Sequence, residues 1–254
     1  MYGDSILKIK KQLMFEFEKR DRQGIYAKFQ KMMAYNSNKI EGSTLTSEQT
    51  ASLFDTGSLY ATNDIVYRAK DIEEMNGHFK LFNKMLKTLD EPLTEEVIKG
   101  FHYELKVGVF EDMANGYPVG EYKNRENIVS DIKTVSPDNV SVRIRALLDK
   151  YNSIMNIEDI AVFHAEFEMI HPFQDGNGRT GRMIILKQCL ENDIFPVLIE
   201  DKYKIEYYHA LHRCQVDGSE KELISLFEKE QGVLFEEIRN MIIEVPDIKP
   251  NIRG

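Results

Sequence analysis

His171-Pro172-Phe173-Gln174-Asp175-Gly176-Asn177-Gly178-Arg179-Thr180-Gly181-Arg182 gathers a titratable base, a carboxylate, an asparagine between glycines and two arginines into one short run. Helical patterns flank it. Upstream, Ile160, Phe163, Phe167 and Ile170 form a helical stripe behind a candidate N-cap at Asn156, with Glu158 and Asp159 in the first turn. Pro172 disfavours helix at the residue before it, so that helix must end at His171. Downstream, Met183, Ile184, Leu186 and Leu190 resume the pattern right after Gly178-Arg179. Asp175-Gly176-Asn177-Gly178 therefore turns the chain into a helix N-terminus.

The first N–H groups of a helix lack internal partners and the macrodipole is positive there, so such a turn is an anion cradle. Glycine permits the positive-φ conformations that aim successive N–H groups at one oxygen. Arg179 and Arg182 share a helix face and can reach further phosphates, and Asp175 is a hard oxygen ligand of the kind magnesium takes beside phosphates. The run reads as a polyphosphate site with a metal and an imidazole next to it. Two other readings compete. A Gly-Asn-Gly turn alone is only a cap or hairpin signal. His164, Glu168 and His171 also lie at helical spacing and could present a metal triad, as in a metallohydrolase, although that leaves the cradle unexplained.

The run resembles the signature of the Fic family, His-Pro-Phe-x-Asp-Gly-Asn-Gly-Arg-x-x-Arg, at every specified position. Most Fic proteins move AMP from ATP onto a hydroxyl side chain of a target protein. The resemblance implies that His171 is the general base and that Asp175 holds Mg²⁺ between the α- and β-phosphates. It implies phosphate binding by Gly176, Asn177 and Gly178, with Arg179 on the β- and Arg182 on the γ-phosphate, while Phe173 anchors the loop. A neutral imidazole suits a base near pH 7, and phosphoryl-type transfer is mostly positioning and charge stabilisation.

Working outward, Ile25, Phe29, Met32, Met33 and Ile40 keep helical spacing up to Glu41-Gly42, where Gly42 reads as a stop. Glu41 then sits at the wrong end of a helix dipole for an acid, with Ser37 one turn earlier on the same face. A solvated terminal glutamate is the plain interpretation. Yet Ser37-Asn38-Lys39-Ile40-Glu41-Gly42 matches the second Fic signature, Ser/Thr-x-x-x-Glu-Gly/Asn. In that family the glutamate pairs with the second arginine, here Arg182, and displaces the γ-phosphate. The resemblance thus implies autoinhibition by Glu41.

Asn127-Ile128-Val129-Ser130-Asp131-Ile132-Lys133-Thr134-Val135 reads as two short β-type runs around a polar turn. It follows Gly120-Glu121-Tyr122, as the Fic flap does, with Lys123 where the family commonly has Arg. The resemblance makes Ile128, Val129, Ser130 and Asp131 a flap that closes over nucleotide and holds a target by its strand edge. Tyr207-Tyr208 is similar to the family's tyrosine pair near the adenine, and Gln215 stands where many relatives carry Asn. Tyrosines at helical spacing are otherwise core residues.

The rest of the chain is helical by pattern: an amphipathic lysine-rich start from Ser5 to Phe17, a capping box at Thr46-Ser47-Glu48-Gln49, and a long helix over residues 63–89. Further helices follow Glu91-Pro92-Leu93-Thr94, Ser136-Pro137 and Lys202, and Leu223 to Met241 closes the body. Expected divisions are a helical region at 1–90 with the inhibitory motif, a catalytic core at 91–235 with the flap at about 120–136, and a helix end and tail at 236–254.

A net charge of −9 argues against nucleic acid as a main partner. Cys189 and Cys214 alone form neither a disulfide framework nor a zinc cluster, which fits a reducing, cytoplasmic setting. Lysines interrupt any signal-peptide core and no apolar run approaches a membrane span, so no membrane partner is expected. The expectation is a mostly α, Fic-type helical bundle with a small β-hairpin flap. It is expected to transfer AMP from ATP, with Mg²⁺, to a Ser, Thr or Tyr hydroxyl of a target protein, itself included. The alternatives are AMP removal or transfer of another nucleotide by the same site, or an inactive ATP-binding regulator. Homo-oligomerisation is left open.

Overall fold

The computed structural model describes residues 2–59, 66–129 and 132–246, with the backbone alone at 128, 129 and 132. Among the described residues, the N-terminal part is carried by α1 (Asp4–Lys19), α2 (Ile25–Ile40), α3 (Ser47–Thr56) and α4 (Ala69–Lys87). After a break come α5 (Glu95–Lys106) and the short α6 (Phe110–Ala114). The remainder holds α7 (Val140–Lys150), α8 (Ile157–Ile170), α9 (Asn177–Glu191), α10 (Lys204–Asp217) and α11 (Lys221–Ile238).

Helix α9 is the axis of the bundle. It packs against α2, α4, α5 and α8, and nearly every residue from Asn177 to Leu190 is buried. A helix surrounded on all sides needs no polar face, which is why its stripe in the sequence understates its burial. Its one interior lysine, Lys187, is fully buried and donates to the carbonyl of Glu91 at 2.7 Å and pairs with Glu191 at 2.7 Å. Apolar residues from both sides of residue 91 share one core: Leu13, Phe29 and Phe82 pack in the same cluster as Phe163, Phe167 and Leu186.

The caps at Thr46 and Asn156 form as full capping boxes, each side chain accepting an N–H from the third helical residue, which reaches back. The helix expected over residues 63–89 starts later. Arg68 is extended at the N-cap of α4, and residues 66–68 lie outside it; 63–65 fall outside the described residues. The reason is local: Asp71 is taken by Arg68 at 2.7 Å and by the Thr44 hydroxyl at 2.6 Å, and Arg68 also donates to the Gly42 carbonyl. These bonds hold the incoming chain against the 42–44 turn instead of in helical continuation.

The expected hairpin shrinks to a rudiment. β1 (Ile128–Val129) pairs antiparallel with β2 (Ile132–Lys133) in the register Ile128 to Lys133 and Val129 to Ile132. Ser130 and Asp131 lie outside the described residues. Among the described residues these two pairs have no third strand beside them and add no sheet to the architecture, so the fold described is helical.

Candidate active site

The loop after α8 is held from three sides. His171 ends the helix with φ 51°, a left-handed conformation a non-glycine residue adopts only when its surroundings enforce it. Phe173 is fully buried and stacks on His102 with ring centroids 3.9 Å apart. Asn177 clamps the turn: its Oδ1 accepts the Phe173 N–H at 2.8 Å and its Nδ2 donates to the Phe173 carbonyl at 2.9 Å. The Asn177 side chain is thus spent on the loop, which leaves only its backbone N–H for an anion. His102 Nδ1 accepts the Gly120 N–H at 2.9 Å, so its Nε2 carries the proton and donates to the Asp175 carbonyl at 3.0 Å. Gly176 closes the turn at φ 82°, where a Cβ would press on Leu105, Lys106 and His102.

His171 presents a neutral imidazole. Its Nδ1 faces the Glu168 carbonyl at 3.3 Å, so Nδ1 holds the proton and Nε2 keeps a free lone pair. Burial, followed by the nearby Lys123 ammonium, pulls its pKa down to about 4, and the imidazole is neutral at pH 7. Lys123 has its own ammonium pushed down to about 8 by burial; it donates to Asn127 and Thr134 at 2.7 Å each, tying the foot of the flap to the loop.

Around Asp175 lies a charge network that periodicity did not foreshadow. Buried Lys106 meets Asp175 at 2.8 Å, Glu74 at 2.6 Å and Asp112 at 2.8 Å. Burial alone would raise the Asp175 pKa, but Arg179, Lys106 and Lys70 hold it well below the usual carboxylate range. Arg179, expected on the β-phosphate, lies inside the protein in this structure. It is 2% exposed and turned into the protein, pairing with Glu74 and donating to Asn38 at 3.2 Å, with Asp175 at 3.6 Å. Two acids near the start of α9, Glu74 and Asp175, hold it inward. Arg179→Ala is therefore expected to cost about 1–3 kcal/mol of stability, because Glu74 loses one of its two buried cations and keeps Lys106. Thermal unfolding beside nucleotide binding checks this: weaker binding at unchanged Tm would contradict it.

Arg182 is gripped by the end of α2. Its Nε donates to the Ser37 hydroxyl at 3.0 Å and its Nη2 to the Ser37 carbonyl at 2.9 Å and to Glu41 Oε1 at 2.7 Å. Arg182 is 4% exposed and Glu41 31%. The Glu41 carboxylate lies directly on the first turn of α9: a Cβ on Gly178 would stand 2.4 Å from its Oε1. An acid of this chain thus rests on the helix N-terminus that the sequence marks as an anion cradle.

A cavity of about 520 Å³ brings together Glu41, Glu168, His171, Gly178, Arg182, Tyr208 and Gln215. Tyr208 is part-exposed along its wall, whereas Tyr207 is floor: it is 1% exposed and its hydroxyl meets His164 Nε2 at 2.6 Å. Gln215 donates to the Ala165 carbonyl at 3.1 Å, which leaves its amide oxygen for a ligand. With His164 bound to Tyr207, the metal triad dissolves; among the described residues no cluster of His, Cys, Asp and Glu is arranged to hold a metal. Beyond Gln215 and Met169 a larger cavity of about 700 Å³ opens between Thr134 and α7, α8 and α10, without any residue of the loop.

The described residues contain no helix long and apolar enough to cross a membrane. Residues 92–189 match the Fic/DOC family. A protein adenylyltransferase Fic of Nematostella vectensis is 27% identical over 187 residues, which cover 71% of this chain and 42% of that protein. The protein adenylyltransferase fic-1 of Caenorhabditis elegans is 26% identical over 190 residues, 71% of this chain and 36% of that one. The chain therefore spans less than half the length of these curated relatives. A Fic domain-containing signaling protein from Bacteroides thetaiotaomicron superposes with a TM-score of 0.72 at 25% identity, covering 92% of this chain and 95% of that one. The helix N-terminus of α9, the imidazole before it and the gripped arginine thus lie in the segment, residues 92–189, that matches the Fic/DOC family, within a fold shared with the Bacteroides Fic domain-containing protein.

Proposed function

We propose that this protein transfers AMP from ATP to a hydroxyl side chain of a protein, and that Glu41 restrains it. The observation that carries the reading is the cavity in which a neutral His171, the α9 N-terminus and Arg182 converge, with Glu41 on the arginine. The names of the matched relatives point the same way.

In this mechanism the hydroxyl oxygen attacks the α-phosphorus, pyrophosphate leaves, and His171 Nε2 takes the hydroxyl proton. The N–H groups of Gly176, Asn177 and Gly178 hold phosphate oxygens at the helix N-terminus. Arg182 binds the γ-phosphate once Glu41 yields it. Arg179, held inside, shapes the field around Asp175 through Glu74 and touches no phosphate. Tyr208 and Gln215 flank the nucleoside, and the edge of β1 aligns the target by strand addition.

Asp175 fits magnesium on its chemistry: it is a hard, ionised carboxylate, 35% exposed, of the kind that holds Mg²⁺ together with phosphate and water oxygens. Bound there, the ion would neutralise charge on the phosphates. Asp175→Asn is expected to raise the Mg²⁺ concentration at half-maximal activity by about tenfold and to slow transfer. A magnesium titration at fixed ATP checks it, and activity that survives EDTA unchanged would remove the metal.

Incubation with labelled ATP or GTP, Mg²⁺ and a cell lysate tests the main reading: label from α-labelled ATP must enter protein, while γ-labelled ATP gives none. A second reading, AMP removal, is favoured by the Glu41 carboxylate at the cradle, where it could activate water. Release of AMP from an adenylylated protein, lost in Glu41→Gly, would establish that direction instead.

A further inference from the structure

Glu168 is a carboxyl that this mechanism leaves unused although it stands beside the base. It lies one turn before His171 on α8 and lines the same cavity. Its side chain is 9% exposed, its Oε2 is 4.0 Å from His171 Nδ1, and its Oε1 is buried with no hydrogen-bond partner. A buried carboxyl oxygen left open is costly and calls for a role. The close approach of α9 is made for it: a Cβ on Gly181 would stand 2.5 Å from Oε1. The groups facing it are Arg182 from α9, Glu41 from the end of α2, Tyr207 and Tyr208 from α10, and His164 and His171 from its own helix.

We propose, on the adenylyl-transfer reading, that Glu168 is a positioning residue for His171, steadying through the Nδ1 side the positive charge the imidazole acquires with the hydroxyl proton. The proton passes from the attacking oxygen to Nε2, Nδ1 keeps its own, and Glu168 exchanges no bond. A carboxylate about 4–6 Å from an imidazole raises its proton affinity by about 1–3 pKa units, and a stronger base takes the proton faster.

Burial pushes Glu168 up to about 8, Arg182 opposing and Glu41 adding to it. Its carboxyl is therefore neutral below that pH and ionises as pH rises through it. His171, held at about 4 by burial and Lys123, is neutral across the whole window. The sign follows: rising pH creates the carboxylate, strengthens the base and raises the rate. Removing Glu41 takes away a negative charge, so the rise moves to lower pH.

The test follows transfer from about pH 6.5 to about pH 9.5, each protein normalised to its own rate at the lower end. The wild type is expected to rise by about tenfold, Glu168→Gln to lack that rise, and Glu41→Gly to show it earlier. Glu168→Gln shares every titration of ATP and target, so the difference isolates the carboxyl. Independently, NMR of histidine-labelled wild type without nucleotide, with His171 assigned through His171→Asn, should show its ring responding to a group that ionises near pH 8. Absence of that response in the wild type overturns the proposal whatever the variant's folding. Identical pH profiles for wild type and Glu168→Gln overturn it as well. A His171 response without AMP transfer in any protein upholds the coupling and refutes the transfer reading.

Discussion

Replacing Glu41 with glycine raises AMP transfer by about tenfold or more, read as self-labelling with fluorescent ATP. The ion pair at 2.7 Å occupies the Nη2 of Arg182, and the carboxylate covers the first turn of α9 at Gly178. ATP can enter such a site only with its phosphates displaced, and a misplacement of about 1 Å at the reacting phosphorus can cost about a hundredfold in rate. Deleting the acid frees both the arginine and the helix end. The fold survives the change: Glu41 is 31% exposed, where an ion pair contributes about 1 kcal/mol or less, and Arg182 keeps its two bonds to Ser37. Ser37→Ala acts in the same direction more weakly. Arg182→Ala combined with Glu41→Gly is not hyperactive, because the released arginine is then missing. A folded, ATP-binding Glu41→Gly protein that labels no faster than wild type would sink the inhibition, and loss of labelling would make Glu41 catalytic.

His171→Ala abolishes transfer while ATP affinity stays within several-fold. A positioned general base contributes about a hundred- to ten-thousandfold, and the anion cradle is built from other residues. The backbone adds a complication that geometry resolves. At φ 51° alanine carries a left-handed penalty of about 1–2 kcal/mol, whereas asparagine tolerates that region. His171→Asn is therefore the cleaner variant: it keeps the loop and removes the base. Single-turnover labelling and calorimetric ATP titration on both variants separate the effects. Loss of binding together with turnover in the asparagine variant, or full activity in either, would unseat His171.

The helices that carry the loop were legible because their signals are local. Asn156 and Asp159 cap α8, Pro172 forces its end at His171, and Gly176 opens α9. The pairing of Glu41 with Arg182 crosses 141 positions in the chain and was legible only through the family resemblance, since an acid at a helix end reveals no partner. Glu74 and Lys106 stayed hidden for a related reason. Each sits on a helix whose apolar stripe accounts for itself, and nothing local says that a charge will be buried with its complement from another helix. The inward turn of Arg179 stayed hidden in the same way: spacing puts it on a face with Arg182, but Glu74 decides where it points.

Ser37 and Asn38, one turn before Glu41 on α2, bind Arg182 and Arg179 through their side chains, so one short segment touches both arginines of the loop. Linkage between two equilibria is reciprocal: if closure of this segment weakens nucleotide affinity by some factor, bound nucleotide must loosen the segment by the same factor. The end of α2 then serves as an occupancy gauge. Its amide protons should exchange faster when ATP is present, a sign opposite to the protection that ligands ordinarily confer, while those of α8 should slow.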